Sequence, residues 1–285
     1  MNPISVNELT ESVNSNLPRD IKSTIAKNIL AEEKDSDVAK NIFSELINDL
    51  SLKTQREVIN ATGTVLHTNL GRSPNNISFS GSYTNIEYDL KTLSRGKRNE
   101  YLSVLMNNLI GSKDIAFVNN NASSLFLSLK AISKSHNIEN VIISRGEIIE
   151  IGGSYRLPEI INETGLNLVE IGTTNKTKLG DYRKALEKYQ NSLILKVHRS
   201  NFSINGFTED VSIEELAELK NKFNVFLFHD LGSGLVIDKK FLEINSISIF
   251  KDEPFVQDSL SDGANLVMFS GDKLFGSVQS GMIAG

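Results

Sequence analysis

The sequence predicts an α/β protein, a mostly parallel seven-stranded sheet between helices, preceded by a small N-terminal helical region. Three observations predict it. From Ile115 onward, short runs rich in Val, Ile, Leu and Phe alternate with amphipathic stretches of helical period, the pattern of successive βα units. The runs are almost wholly apolar, as strands covered on both faces must be. Polar clusters close six of the runs, at the edge where open α/β sheets hold their ligands.

Along the chain, residues 1–53 read as helical. Leu17-Pro18-Arg19-Asp20 resembles a helix start with Pro in the first turn, and Ile21, Ile25 and Ile29 follow at helical spacing. Asp35-Ser36-Asp37 is suited to cap a second helix, with an apolar face of Ile42, Phe43, Leu46, Ile47 and Leu50. The expected division is a helical region at 1–55 and a large domain at 56–285. In the large domain the seven strands are expected at 115–118, 141–144, 167–171, 193–198, 225–230, 266–269 and 282–284. Helices at 122–134, 181–189 and 213–222 separate several of them. The six polar ends are Asn119-Asn120-Asn121, Arg145-Gly146-Glu147, Gly172-Thr173-Thr174-Asn175, His198-Arg199-Ser200-Asn201, Asp230-Leu231-Gly232-Ser233-Gly234 and Ser270-Gly271-Asp272-Lys273. One or two such ends would simply begin loops; six argue for a site.

Composition narrows the classes. Of 285 residues, 39% are hydrophobic and 23% charged, ordinary for a soluble globular protein. No apolar run reaches the ~20 residues of a membrane span, and the N-terminus has neither the basic start nor the apolar core of a signal peptide. A cytoplasmic protein is expected. With no cysteine, disulfides, thiolate zinc sites and a cysteine nucleophile are excluded. The four histidines, His67, His136, His198 and His229, lack the spacing of a zinc helix, so no metal is expected. There is no Walker A loop and no dinucleotide fingerprint. The net charge is −5, and the first sixty residues hold seven Lys and Arg against ten Asp and Glu. Any nucleic acid must therefore be met by local patches.

Three strand ends suggest one chemistry. Asn119-Asn120-Asn121-Ala122-Ser123-Ser124 leads from a strand into a helix, whose free N–H groups suit a phosphate; the same residue types also cap helices where no ligand is bound. Asp230 ends the apolar run Val225-Phe226-Leu227-Phe228-His229. A carboxylate there needs a partner, either the following Gly-Ser-Gly turn or a protonated pyridine nitrogen. Lys273 lies just past a buried strand among small and apolar residues, where desolvation lowers a lysine pKa and makes it nucleophilic toward carbonyls. In that chain order the three match the layout of fold type I pyridoxal-phosphate (PLP) enzymes.

These residues lie in longer runs that resemble the bacterial selenocysteine synthases, the L-seryl-tRNA(Sec) selenium transferases. The runs are Val58-Ile59-Asn60-Ala61-Thr62-Gly63-Thr64-Val65-Leu66-His67-Thr68-Asn69-Leu70-Gly71-Arg72, Glu87-Tyr88-Asp89-Leu90 with Arg95-Gly96-Lys97-Arg98, and Val118-Asn119-Asn120-Asn121-Ala122. Further on come Ser144-Arg145-Gly146-Glu147 with Glu150-Ile151-Gly152-Gly153-Ser154, then Gly172-Thr173-Thr174-Asn175-Lys176-Thr177, and Lys196-Val197-His198-Arg199-Ser200-Asn201 with Gly206-Phe207-Thr208. The strand-end runs at Asp230 and Lys273 complete the set, which spans residues 58–285.

The resemblance implies the large domain of a fold type I PLP-dependent transferase. It implies conversion of seryl-tRNA(Sec) to selenocysteinyl-tRNA(Sec) with selenophosphate, through an aminoacrylyl intermediate. Lys273 would hold the cofactor as a Schiff base and Asp230 would face the pyridine nitrogen. Asn120, Asn121, Ala122 and Ser270 would surround the phosphate, and His198 and Asn201 would sit near the ring. Arg72, Arg95 and Arg98 would serve anionic groups, Arg72 and Arg98 as catalytic residues; surface salt bridges are the alternative for them. A homo-oligomer built from dimers is implied. The chain departs from the family at Ser277-Val278-Gln279-Ser280-Gly281, where Gly-Pro-Gln-Ala-Gly is usual, and the family's C-terminal small domain is expected to be absent. Its N-terminal region is short and acidic for a tRNA-binding part. Three other readings stay open: a PLP-dependent lyase of small amino or amino-sugar acids, a non-catalytic chain that binds a partner or tRNA, and an α/β binding protein with no cofactor.

Overall fold

A computed structural model describes residues 3–52, 57–75, 81–153, 155–250 and 252–285. Ser154, Lys53 and the expected boundary between residues 55 and 56 lie outside the described residues. The chain divides into two compact units, Met1–Ala61 and Thr62–Gly285.

The first unit holds helices α1 (Val6–Glu11), α2 (Arg19–Glu32) and α3 (Ser36–Leu52). Pro18 is the N-cap of α2, and Asp35 Oδ1 accepts from the N–H groups of Asp37 and Val38 at the start of α3. The core is Leu9, Ala26, Phe43 and Ile47, with Ile25 and Ile29 packed against it. The expected faces are therefore rotated: Ile21, Ile42 and Leu46 are exposed. The reason is α1, which the apolar period did not predict and which delivers Leu9 to the core. Its start was written as Ser5-Val6-Asn7-Glu8, a capping box in which Ser5 Oγ accepts from Glu8 N and the Glu8 carboxylate accepts from Ser5 N.

The second unit opens with a short hairpin, β1 (Tyr88–Asp89) and β2 (Ser94–Arg95), and helix α4 (Glu100–Ile110). A seven-stranded sheet follows: β3 (Ile115–Val118), β4 (Asn140–Ser144), β5 (Asn167–Ile171), β6 (Ser192–Val197), β7 (Phe226–Gly232), β8 (Leu266–Ser270) and β9 (Gly281–Ala284). All seven lie where the apolar runs predict them, to within two residues at each end. The order is β3-β9-β8-β7-β6-β4-β5. Strands β4 to β8 pair in parallel, whereas β9 runs antiparallel to both β3 and β8. The six strands other than β9 therefore end on the same edge.

Alternation along the strands sorts side chains onto two faces. Ile142, Ile194, Leu227, Val267 and Phe269 face one core, shared with Met106 of α4, Tyr182 of α7 (Leu179–Lys188) and Leu216 of α8 (Ile213–Phe223). Val141, Ile143, Leu195, Phe228 and Met268 face the other, with Leu125 and Leu129 of α5 (Asn121–His136) and Ile160 of α6 (Leu157–Glu163). Two short helices, α9 (Lys239–Ile244) and α10 (Val256–Ser261), fill the β7–β8 connection. Among the described residues, no helix is long and apolar enough to cross a membrane, and no cluster of three His, Cys, Asp or Glu is placed to hold a metal.

Two stability predictions follow from this packing. A Cβ built on Gly281 would stand 2.1 Å from the Asn120 carbonyl oxygen and 2.3 Å from Ser124 Oγ, so β9 meets the start of α5 through a contact only glycine permits. Gly281→Ala is expected to cost about 1–3 kcal/mol, read as a lower urea midpoint. On β7, neighbouring His229 is buried against α10, with Nδ1 3.1 Å from Ser259 Oγ. Burial, with help from Lys196 and His198, pushes its pKa from 6.5 down to about 3. The unfolded chain then binds more protons than the folded one across that interval, so stability is lost as pH falls below 6.5. Between pH 7 and pH 5 the urea midpoint is expected to drop more for the wild type than for His229→Asn.

Candidate active site

The site forms where β3, β6, β7 and β8 end. Asp230 is 2% exposed. Its Oδ1 accepts from Asn121 Nδ2 at 2.7 Å and from Gly232 N at 3.2 Å; among the described residues, no hydrogen bond reaches Oδ2. Burial raises the Asp230 pKa, and Asn121, Gly232, Lys273 and His198 pull it back. Asn121 is buried in the first turn of α5, and among the described residues its own Oδ1 has no partner. Asn120 caps that helix: its Oδ1 accepts from Ser123 N and its carbonyl from Ser124 N. The cap leaves the N–H groups of Asn121 and Ala122 pointing out of the helix start.

Lys273 stands on the loop after β8. Gly271 N donates to the Ser280 carbonyl and Ser277 N to the Gly271 carbonyl, so the loop closes on itself. Lys273 is partly buried, and among the described residues its amine makes no hydrogen bond or ion pair. Burial and the positive Arg72 lower its pKa, against Asp230, Asp272 and Glu253. Arg72 reaches the loop from afar: its Nη1 lies 2.8 Å from Asp272 Oδ2, and Ser73 N donates to the Asp272 carbonyl. Arg72 holds a φ of 60°, a left-handed conformation that is costly for a side chain and often marks a functional position. Ser270 is buried at the end of β8.

His198 follows β6. Its backbone N–H donates to the Asp230 carbonyl, and its Nε2 lies 2.7 Å from Glu253 Oε2. The same Glu253 oxygen accepts from Ser233 Oγ at 3.2 Å. Glu253 has no counterpart among the residues expected from sequence. It sits in a loop of the β7–β8 connection, away from any strand end, and no local pattern marks it.

Other expected residues are bonded to neighbours of their own. Asn201 is exposed and donates to the Glu150 carbonyl. Arg98 Nε lies 2.8 Å from Glu87 Oε1 and Arg95 Nη2 3.9 Å from Glu87 Oε2, in exposed pairs at the β1–β2 hairpin. The end of β5 bonds to a neighbouring loop, Asn175 Nδ2 donating to the Phe207 carbonyl. The end of β4 joins a partly buried network instead. Lys196 Nζ lies 2.5 Å from both Glu147 Oε1 and Asp210 Oδ1, and Glu147 Oε2 accepts from Val197 N. Burial raises the Glu147 pKa to about 7, with Asp210 adding to it and Lys196 opposing. Burial alone would lower the Lys196 pKa, but the two carboxylates hold it raised. The network anchors β6, the strand that leads into His198.

A family profile described as L-seryl-tRNA selenium transferase (SelA) matches residues 58–285. An L-seryl-tRNA(Sec) selenium transferase of Aliarcobacter butzleri (strain RM4018) is 41% identical over 288 residues, covering 94% of this chain and 61% of the relative. One of Moorella thermoacetica is 46% identical over 237 residues, covering 81% of this chain and 48% of the relative. The chain thus spans about three fifths of the length of the first curated relatives, 61%, 60% and 61%. Among solved structures, a D-glucosaminate-6-phosphate ammonia-lyase superposes with a TM-score of 0.51 at 17% identity, over 65% of this chain and 47% of the other; at that identity the likeness speaks for the fold alone. The α/β architecture is the fold type I large domain that the sequence predicts, and the chain belongs to the L-seryl-tRNA selenium transferase family.

Proposed function

We propose that this chain carries the cofactor-bearing part of an enzyme that converts seryl-tRNA(Sec) to selenocysteinyl-tRNA(Sec), with PLP on Lys273 and selenophosphate as the selenium donor. One observation carries the reading: a partly buried lysine amine with no partner among the described residues, in the same strand-end cluster as a buried carboxylate with one uncommitted oxygen. The two need what PLP offers, a carbonyl for the amine and a cationic ring N–H for the carboxylate.

Lys273 would hold the cofactor covalently. Asp230 would accept from the ring nitrogen. Asn120, the backbone N–H groups of Asn121 and Ala122, and Ser270 would hold the phosphate at the start of α5, where N–H groups and the helix dipole favour an anion. His198 and Asn201 would lie along the ring. When bound, PLP supplies the electron sink that lets a serine lose its α proton and β hydroxyl. Burial and Arg72 favour the neutral amine of Lys273, the form able to take a proton from the substrate carbon. Arg72, steadied by Asp272, keeps donors for an anionic group, and Arg95 and Arg98 offer exposed guanidiniums near it in sequence. The working assembly is a cytoplasmic homo-oligomer built from dimers. The lyase reading has only the fold in its favour.

The test begins with the full chain expressed in the presence of PLP. A visible absorbance band, trapped by borohydride on the Lys273 peptide and absent from Lys273→Ala, is expected. With seryl-tRNA(Sec) and selenophosphate, Lys273→Ala is expected to lower turnover by roughly 10²–10⁴-fold or more. A wild-type chain that takes up PLP without a band at Lys273 would overturn the reading.

A further inference from the structure

Asn121 does something other than its place at the helix start suggests. Its side chain is 6% exposed and turns inward, where Nδ2 donates to Asp230 Oδ1 across 109 positions of sequence at 2.7 Å. Its Oδ1 is buried and, among the described residues, unpartnered. One of its two amide N–H donors is thus committed to a carboxylate. A phosphate accepts hydrogen bonds and offers nothing to the remaining Oδ1 when fully ionised. Asn120, by contrast, spends its side chain on the cap.

We infer that Asn121 is a positioning residue for Asp230: its amide fixes the carboxylate through Oδ1 and leaves Oδ2 as the oxygen that meets a cationic ring N–H. The inference rests on the PLP reading above. Its physical content is electrostatic. A donor on Oδ1 stabilises the ionised carboxylate, which keeps a proton on the ring nitrogen. That positive charge in turn lowers the pKa of the protonated imine formed with Lys273.

The variants are Asn121→Ala, which removes the donor, and Asn121→Asp. The second keeps the volume but sets a like charge against Asp230, so the urea midpoint of each variant is measured first to establish that it folds. Each full-length protein is loaded separately with PLP and with pyridoxal, which lacks the phosphate. The pH midpoint of the visible Lys273 band and the dissociation constant are then measured. The expected result is an upward shift of the midpoint in both variants, larger for Asn121→Asp. It should appear with pyridoxal as with PLP, alongside roughly tenfold weaker pyridoxal binding, the worth of one hydrogen bond to a charged group. Weaker PLP binding with pyridoxal affinity and midpoint unchanged would make the Asn121 side chain a phosphate ligand and overturn the inference. Unchanged behaviour in both variants would also overturn it. Absence of a band in the wild type would instead overturn the PLP reading, so the two failures are distinct.

Discussion

A carboxylate taken out of water at the end of a central strand governs this structure. Asp230 shares the α5 face of the sheet with Phe228 and is 2% exposed, and such a group must be compensated locally. Compensation comes from two directions: the amide of Asn121 and the N–H of Gly232. The first ties the β3–α5 turn to β7, across the two strands that separate them in the sheet. The second sets the turn that sends Ser233 toward Glu253, and so toward His198. Most of the site's geometry follows from how one buried charge is met.

Much of this was legible in the sequence, for physical reasons that differ by residue. The strands were legible because covering both faces leaves them no choice but apolar runs. Asp230 and Lys273 were legible because each is a charged residue where the chain has just been buried, which needs a reason. Glu253 was not, because its role is set by the fold of a loop that carries no period. Arg95 and Arg98 were singled out by resemblance, and the structure places them on Glu87 in solvent, where such pairs contribute ~0–1 kcal/mol. The end of β5 shows the limit of counting polar strand ends: Asn175 satisfies a neighbouring backbone. The first unit was legible as helical, but its buried face was misjudged, since a six-residue helix is too short to show a period although its capping box was in plain view.

The network of Glu147, Lys196 and Asp210 performs a quieter task. One ammonium between two carboxylates is retained although burial works against each charge. It joins the end of β4 to β6, and Asp210 extends it to Arg199, the residue after His198. A hydrophobic contact would tolerate sliding; three charges at fixed distances do not. The backbone that carries the imidazole is thereby held in register with Asp230, whose carbonyl accepts from His198 N.

The strand order has a consequence in time as well as in space. Within the sheet β3 borders only β9, whose residues 281–284 come some 160 positions after it. On a ribosome delivering residues in order, β3 and the Asn-rich turn emerge early and wait beside an incomplete sheet. The central strands can pair as they appear, but the edge that carries Asn120 and Asn121 gains its neighbour only when β9 is made. Pairing so distant in sequence is slow, and until it happens the half of the pocket that bears the asparagines is unsupported by the half that bears the lysine. The site is thus completed only once β9 is made, and the preceding interval is the one in which an unpaired strand edge is exposed to wrong partners.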